Sequence, residues 1–149
     1  MGFATPSLKG RALRLLSQRE HSRAELQRKL APHLQEGDDL AAVLDELEAR
    51  DFISEARVAE SVVNRRAARL GTQRLVQELR GKGLEEDLVR ATAEHLRATE
   101  LERAQAVWQQ RFGSTPAADP QERARQMRFL AARGFAGDVV RRVVRGDCD

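Results

Sequence analysis

Residues Ser54–Leu84 read SEARVAESVVNRRAARLGTQRLVQELRGKGL. Ser54 is placed to cap an arginine-rich helix, Gly71-Thr72 breaks it, and Thr72 caps a second basic helix with Leu75, Val76 and Leu79 inside. Gly83 stands where a helix ends on a left-handed residue. In the first of these helices Ala59, Val62, Val63, Ala67 and Leu70 form an apolar stripe. At about 100° per residue, Arg57, Arg65 and Arg69 then fall within an arc of about 120° on the other side.

Part of this pattern returns. Leu79–Arg90 (LRGKGLEEDLVR) aligns with Leu130–Arg141 (LAARGFAGDVVR) at an offset of 51. An offset of 49 brings in the first third of the chain. Leu30, Leu79 and Leu130 then share a position, as do Asp38, Asp87 and Asp138, Leu40, Val89 and Val140, and Val43, Thr92 and Val143. Three registers in agreement mark tandem units of about 50 residues. The divisions are 1–53, 54–98 and 99–149.

The punctuation of the other units fits three helices each. Leu8, Ala12, Leu15 and Leu16 have helical spacing, and Ser22 with Glu25 makes a capping box before Ala24, Leu26 and Leu30. Pro32 and Gly37 break the chain. Asp38 precedes the stripe Leu40, Val43, Leu44, Leu47. In the middle unit a third helix carries Leu88, Val89, Thr92, Ala93 and Leu96. Thr99-Glu-Leu-Glu102 is a second capping box, ahead of Leu101, Ala104, Trp108 and Phe112. Asp119-Pro120-Gln121-Glu122 combines a cap, an N1 proline and an N3 glutamate. Met127, Leu130 and Ala131 pack inward, Gly134 stops that helix, and Val139, Val140, Val143 and Val144 form the last stripe. Six or seven large apolar residues per unit barely offset the ordering of 50 residues, so the units are expected to stack. The fold class is all-α, with three tandem three-helix units stacked into an elongated, curved array.

Composition excludes several classes. No apolar run of the 149 residues approaches the roughly 18 of a membrane span, and MGFATPSLKGR lacks the apolar core of a signal peptide. With one cysteine, Cys148, an intrachain disulfide is impossible. A cytoplasmic protein is expected. Net charge is +3, but it is distributed in blocks: +5 over residues 1–33, −6 over 34–51, +4 over 54–82 and +5 over 121–146. Of the 26 cations 23 are arginine, a residue suited to phosphate and carboxylate forks. Opposed electrostatic surfaces follow from the blocks. His21, His33 and His95 show no metal-ligand spacing and read as surface or helix-end residues. Gly81-Lys-Gly83 lacks the spacing of a phosphate loop and reads as a helix stop. Paired acids at helix starts are explained by the macrodipole. A non-enzyme is expected, without metal or cofactor.

Ala12-Leu-Arg-Leu-Leu-Ser-Gln-Arg-Glu-His-Ser-Arg-Ala-Glu-Leu26, Ser54–Leu84 and Arg128-Phe-Leu-Ala-Ala-Arg-Gly-Phe135, in this order and spacing, resemble the RecX family of RecA regulators over nearly the whole chain. The resemblance implies three tandem three-helix units. It also implies a protein that lies in the helical groove of the RecA filament on DNA and suppresses ATP hydrolysis, strand exchange and filament growth. Val58 and Val62 depart from it, standing where the family usually has Phe or Tyr. Almost all aromatics read as buried, which weakens a base-stacking role.

With that partner, the expected contact residues are Arg57, Arg65, Arg69, Arg74 and Lys82 in the middle unit and Arg123, Arg125, Arg128 and Arg133 in the last. Arg74 and Arg125 align. A curved rod spanning adjacent protomers would clamp their rotation without touching the nucleotide. A monomer is expected, with weak, salt-sensitive single- or double-stranded DNA binding as a secondary property. The bland reading pairs some of these arginines with Glu60, Glu78 or Glu122. Two alternatives remain: a helix-turn-helix DNA-binding regulator and a scaffold for another acidic protein. Against the former, Asp38, Asp87 and Asp138 sit near the start of each third helix, where they repel phosphate.

Overall fold

The computed structural model describes residues 5–147, so Cys148 lies outside the described residues. The described chain is helical, without a strand. The first unit holds α1 (Leu8–Gln18), α2 (Arg23–Leu30), a 3-10 turn (Ala31–His33) and α3 (Leu40–Ala49). The second holds α4 (Glu55–Arg66), α5 (Thr72–Gly81) and α6 (Glu86–Ala98), and the third α7 (Glu100–Phe112), α8 (Pro120–Ala132) and α9 (Gly137–Arg145).

Each unit has its own apolar core. Leu26, Leu30, Leu44 and Leu47 fill the first, Val58, Val62, Leu75 and Leu79 the second, and Trp108, Leu130, Val143 and Val144 the third. The repeat position shared by Leu30, Leu79 and Leu130 is buried in all three. The reason given above for stacking therefore needs correction. The second cluster alone contains nine buried residues with four more packed against it, and none of the three clusters extends into a neighbouring unit. The units stack, but through polar joints.

Those joints have one design. The second helices of successive units meet end to end, the N-terminus of α5 against the C-terminus of α8 and the N-terminus of α2 against that of α5. Gly71 N–H donates to the Arg133 carbonyl at 2.8 Å and Gln73 N–H to that of Gly134 at 3.2 Å. At the other joint the Ser22 hydroxyl donates to the Lys82 carbonyl at 2.5 Å. A helix leaves its last C=O groups unpaired, and here the N-terminal residues of the next helix serve them, through backbone N–H at one joint and the Ser22 hydroxyl at the other, with dipoles aligned head to tail.

Several caps form as the sequence indicates. The Ser22–Glu25 box is complete, Ser54 accepts from Arg57 N–H, and Asp119 precedes Pro120 at the start of α8. Gly83 and Gly134 take φ +74° and +91° at helix ends. α3 follows Asp38 as expected: Asp39 caps it, and Asp38 closes the preceding turn by accepting Gln35 N–H at 2.7 Å. Two expectations are corrected. Thr72 lies inside α5, its N–H donating at 2.7 Å to Glu100 Oε1 from the third unit. Thr99 makes no side-chain cap, because α6 runs almost directly into α7 and its ψ of 6° is not the extended backbone a cap needs.

Candidate partner-binding face

The joint between the second and third units fixes where their cations stand. Its tightest point is backbone on backbone: a Cβ built on Gly71 would lie 2.2 Å from the Gly134 carbonyl carbon. Beside it Arg103, half-buried on α7, donates to the carbonyls of Ala67 (3.0 Å), Leu70 (2.6 Å) and Leu96 (2.8 Å) and to the Thr72 hydroxyl (3.3 Å). Burial lowers the affinity of this guanidinium for its proton. The end of α4, the start of α5 and the end of α6 are thus tied to the third unit by one side chain.

Around this joint the structure gathers Arg69, Arg74 and Arg133. Arg74 donates to the Ala132 carbonyl at 2.9 Å, and Arg133 to that of Arg69 at 3.3 Å. Arg133 also lies over the Phe129 ring, 4.8 Å from its centre, with Arg111 at 5.4 Å from the same ring. Phe129 meets Phe112 edge to face at 5.3 Å, and Arg125 stands 5.7 Å from the Phe112 centre. Arg–ring contacts of this kind hold guanidinium groups flat and in place. Arg128, one turn along α8 from Arg125, is exposed. Of the nine expected residues, Arg69, Arg74 and Arg133 meet at this joint, Arg125 stands beside the Phe112–Phe129 pair that Arg133 also touches, and Arg128 is exposed on the same helix.

The other four go elsewhere. Arg57 turns to the first unit, bonding Glu20 at 2.9 Å and Asp51 at 3.1 Å, and the Glu20 carboxylate raises its already high pKa. Lys82 is drawn into the first joint, 3.4 Å from Glu25. Arg123 binds back to the Ala118 carbonyl at 3.2 Å, and Arg65 to Ser61 of its own helix at 3.2 Å. The proposed arc on α4 also fails at Arg69, because the helix ends at Arg66. Of the expected acid partners, Glu122 takes Arg125 at 2.8 Å and Glu78 takes Arg66 at 2.8 Å. Arg74 and Arg125 have different surroundings despite their alignment.

Two features had no clear sequence signal. Phe112 and Phe129 are only half-buried, against the expectation that nearly all aromatics are inside. The pairs Arg111-Phe112 and Arg128-Phe129 could have suggested them. His21 is not a surface residue: it is 1% exposed, its Nδ1 3.0 Å from the Arg19 carbonyl and its Nε2 3.1 Å from Lys29 Nζ. Because an ammonium only donates, Nε2 accepts and Nδ1–H donates, so the ring is neutral. Burial holds its pKa below the usual 6.5. It sits in the first joint beside Glu25. Burial alone would raise the Glu25 pKa, but Arg19, the Ser22 N–H and Lys82 hold it at about 2.

The chain matches the first, second and third three-helix domains of RecX over residues 9–47, 54–92 and 98–144. It belongs to the RecX family. The regulatory protein RecX of Leptothrix cholodnii is 58% identical over 139 residues, covering 93% of this chain and 88% of that protein. The counterpart in Ralstonia nicotianae is 54% identical, covering 94% and 87%. The crystal structure of RecX from Lactobacillus salivarius superimposes with a TM-score of 0.77 over 94% of both chains at 18% identity, a likeness of fold. The relatives are named regulatory proteins, and the family is one of regulators. No helix among the described residues is long and apolar enough to cross a membrane.

Proposed function

We propose that this chain binds the RecA–DNA filament and restrains it, lowering RecA's ATPase, strand exchange and filament growth. The observation that carries the proposal is the face built by Arg69, Arg74, Arg125, Arg128 and Arg133. It crosses a joint closed by direct backbone contact between Gly71 and Gly134, so two units present one fixed set of cations. A rigid basic rod laid across adjacent protomers opposes their relative rotation, and ATP hydrolysis between protomers is slowed without contact with the nucleotide. In this reading the chain is a monomeric, cytoplasmic, non-catalytic regulator of three units (1–53, 54–98, 99–149), and its direct DNA binding is weak and falls with salt. Arg57, Arg65, Lys82 and Arg123 contribute less than the sequence suggested, since none is drawn to the joint of the second and third units: Arg57 and Lys82 pair with carboxylates of the first unit, and Arg65 and Arg123 bind carbonyls of their own segments.

The test is RecA's single-strand-dependent ATPase, with this protein titrated well below the RecA concentration at low and moderate salt. Inhibition that persists at moderate salt and is lost in Arg69→Glu/Arg128→Glu supports a protein-directed clamp. Both side chains are exposed, so helical content and melting should stay at wild type. Inhibition confined to low salt assigns the effect to competition for DNA, whose single-strand binding falls with log salt at about −0.7 per phosphate contacted. No inhibition at either salt overturns the proposal in favour of the DNA-reading or scaffold alternatives.

A further inference from the structure

Unit one carries a second basic feature, made by none of the residues of the face just described. A cleft of about 320 Å³ opens between α1 and the end of α2 with its 3-10 turn. Arg11, Arg14, Lys29 and His33 line it over a floor that includes Leu15 and Leu30, and no carboxylate among the described residues joins them. The neighbouring cations of the same helices are otherwise engaged. Arg19 holds Glu25, Arg23 holds Asp45 and Glu48, and Arg28 reaches the Gly81 carbonyl. Arg11 and Arg14 have no such acceptor among the described residues. Unpaired positive charge collected in a concavity is stabilised only by an anion from outside.

We infer that this cleft is a binding site for the phosphodiester backbone of single-stranded nucleic acid. The argument rests on donors and acceptors. Arg11, Arg14 and Lys29 only donate, and Gln18 is the one lining side chain besides the histidine with an acceptor. An acidic polypeptide brings backbone N–H donors that would find few partners here, whereas the phosphodiester chain brings acceptors alone. No aromatic side chain lines the cleft, so bases are not stacked and binding is indifferent to sequence. Arg11 and Arg14 stand three residues apart on α1 and therefore on one side of it, which lets both forks take phosphate oxygens. Lys29 is held ready by the neutral, buried His21, a positioning residue whose Nε2 accepts a hydrogen bond from the ammonium at 3.1 Å. Acidic α3, with Asp45, Glu46 and Glu48, packs on α1 and α2 and repels a strand laid across that helix instead.

Fluorescence anisotropy of a labelled oligothymidylate tests this with the full chain and no recombinase present; it rests on the direct DNA binding of the proposed function and is independent of the restraint of RecA. Wild type should bind with a measurable log–log salt slope. Arg11→Gln/Arg14→Gln should flatten that slope by about 1.4 and Lys29→Gln by about 0.7, one phosphate per cation. Circular dichroism confirms that each variant is helical, and Lys29→Gln keeps the test open if the double variant does not fold. Wild-type slopes in both variants overturn the assignment. So does loss of binding to polyglutamate with oligothymidylate binding unchanged, which would make the cleft a site for acidic protein.

Discussion

Replacing Gly71 by alanine tests the joint between the second and third units at its closest point. The added Cβ would lie 2.2 Å from the Gly134 carbonyl carbon and 2.3 Å from both its oxygen and Phe135 N. All three are backbone atoms, so no rotamer change relieves the clash, and the end of α8 must move by about an ångström or more to reach ordinary contact. That movement breaks the hydrogen bonds from Gly71 to Arg133 (2.8 Å) and from Gln73 to Gly134 (3.2 Å). Overpacking of this kind costs about 1–3 kcal/mol and each hydrogen bond about 0.5–1.5 kcal/mol. A loss of about 2–6 kcal/mol follows, limited above by what the joint itself contributes, since an opened joint no longer clashes. For a chain of this size the melting temperature should fall by about 5–15 °C. Because each unit keeps its own core, helical content at low temperature should be unchanged while small-angle scattering shows a larger radius of gyration. Gly81→Ala is the control: Gly81 is the last residue of α5 with nothing within 4 Å of its added Cβ, and the change should leave stability unaltered or raise it by at most about 0.5–1 kcal/mol. A Gly71→Ala protein with the melting temperature and scattering of wild type would refute the backbone-contact joint.

Arg103→Met should destabilise by about 3–5 kcal/mol in urea unfolding, because three carbonyls and the Thr72 hydroxyl lose their donor while the joint remains closed around them. In the third core Trp108 Nε1–H donates to Gln126 Oε1 at 2.9 Å, so Gln126→Leu leaves a buried indole N–H unpaired and should cost about 1–3 kcal/mol by the same measurement. Two groups in the first joint set the acid limb. The Glu25 carboxyl, at about 2 in the fold against an ordinary 4.5, contributes roughly 3 kcal/mol above pH 4.5, and this is lost as pH falls through about 2. His21, lowered by burial, takes up its proton more readily when unfolded, so stability declines further as pH drops below 6.5. Urea midpoints from neutral to acid pH check both: Glu25→Gln should flatten the limb below 4.5 and leave the decline nearer 6.5, and an unchanged limb would exclude Glu25 as its source.

The helices and their stops were legible because they are local. Ser22 with Glu25, Ser54, Pro120, Gly83 and Gly134 each act within one turn of the backbone, and their reading survives in the structure. Thr72 failed for a nonlocal reason: Gly71 takes the cap position against the end of α8, and the Thr72 N–H donates to Glu100, 28 residues away. Thr99 failed because α6 runs almost directly into α7. The candidate face was legible in part. Arg128 and Arg133 stood in a basic block at and just past α8, but Arg57 and Lys82 could not be removed from the candidates without knowing that Glu20 and Glu25 stand opposite. The half-exposed Phe112 and Phe129 were missed because a phenylalanine at core spacing looks the same whether or not arginines cover its outer face.

This also changes what the arginine content means. A chain with 23 arginines invites a reading in which most of them await a partner. Many instead close the fold on itself. Arg28, Arg74, Arg103 and Arg133 all donate to carbonyls at or near helix ends across a joint, where an α-helix leaves its last acceptors unpaired. Arginine suits that task because its charge persists under partial burial and its planar fork reaches two acceptors at once. A polar joint of this kind does for neighbouring units what a shared apolar core does elsewhere, and it leaves each unit's core intact when it opens. Among the described residues Arg69 and Arg128, beside the joint of the second and third units, and Arg11 and Arg14 in the first unit have no acceptor of their own, so these pairs separate the two proposed surfaces. Reversing the charge of the first pair should abolish filament-directed inhibition and spare oligonucleotide binding, and neutralising the second pair should do the opposite. If both pairs affect both readouts equally, the separation of the two surfaces is wrong.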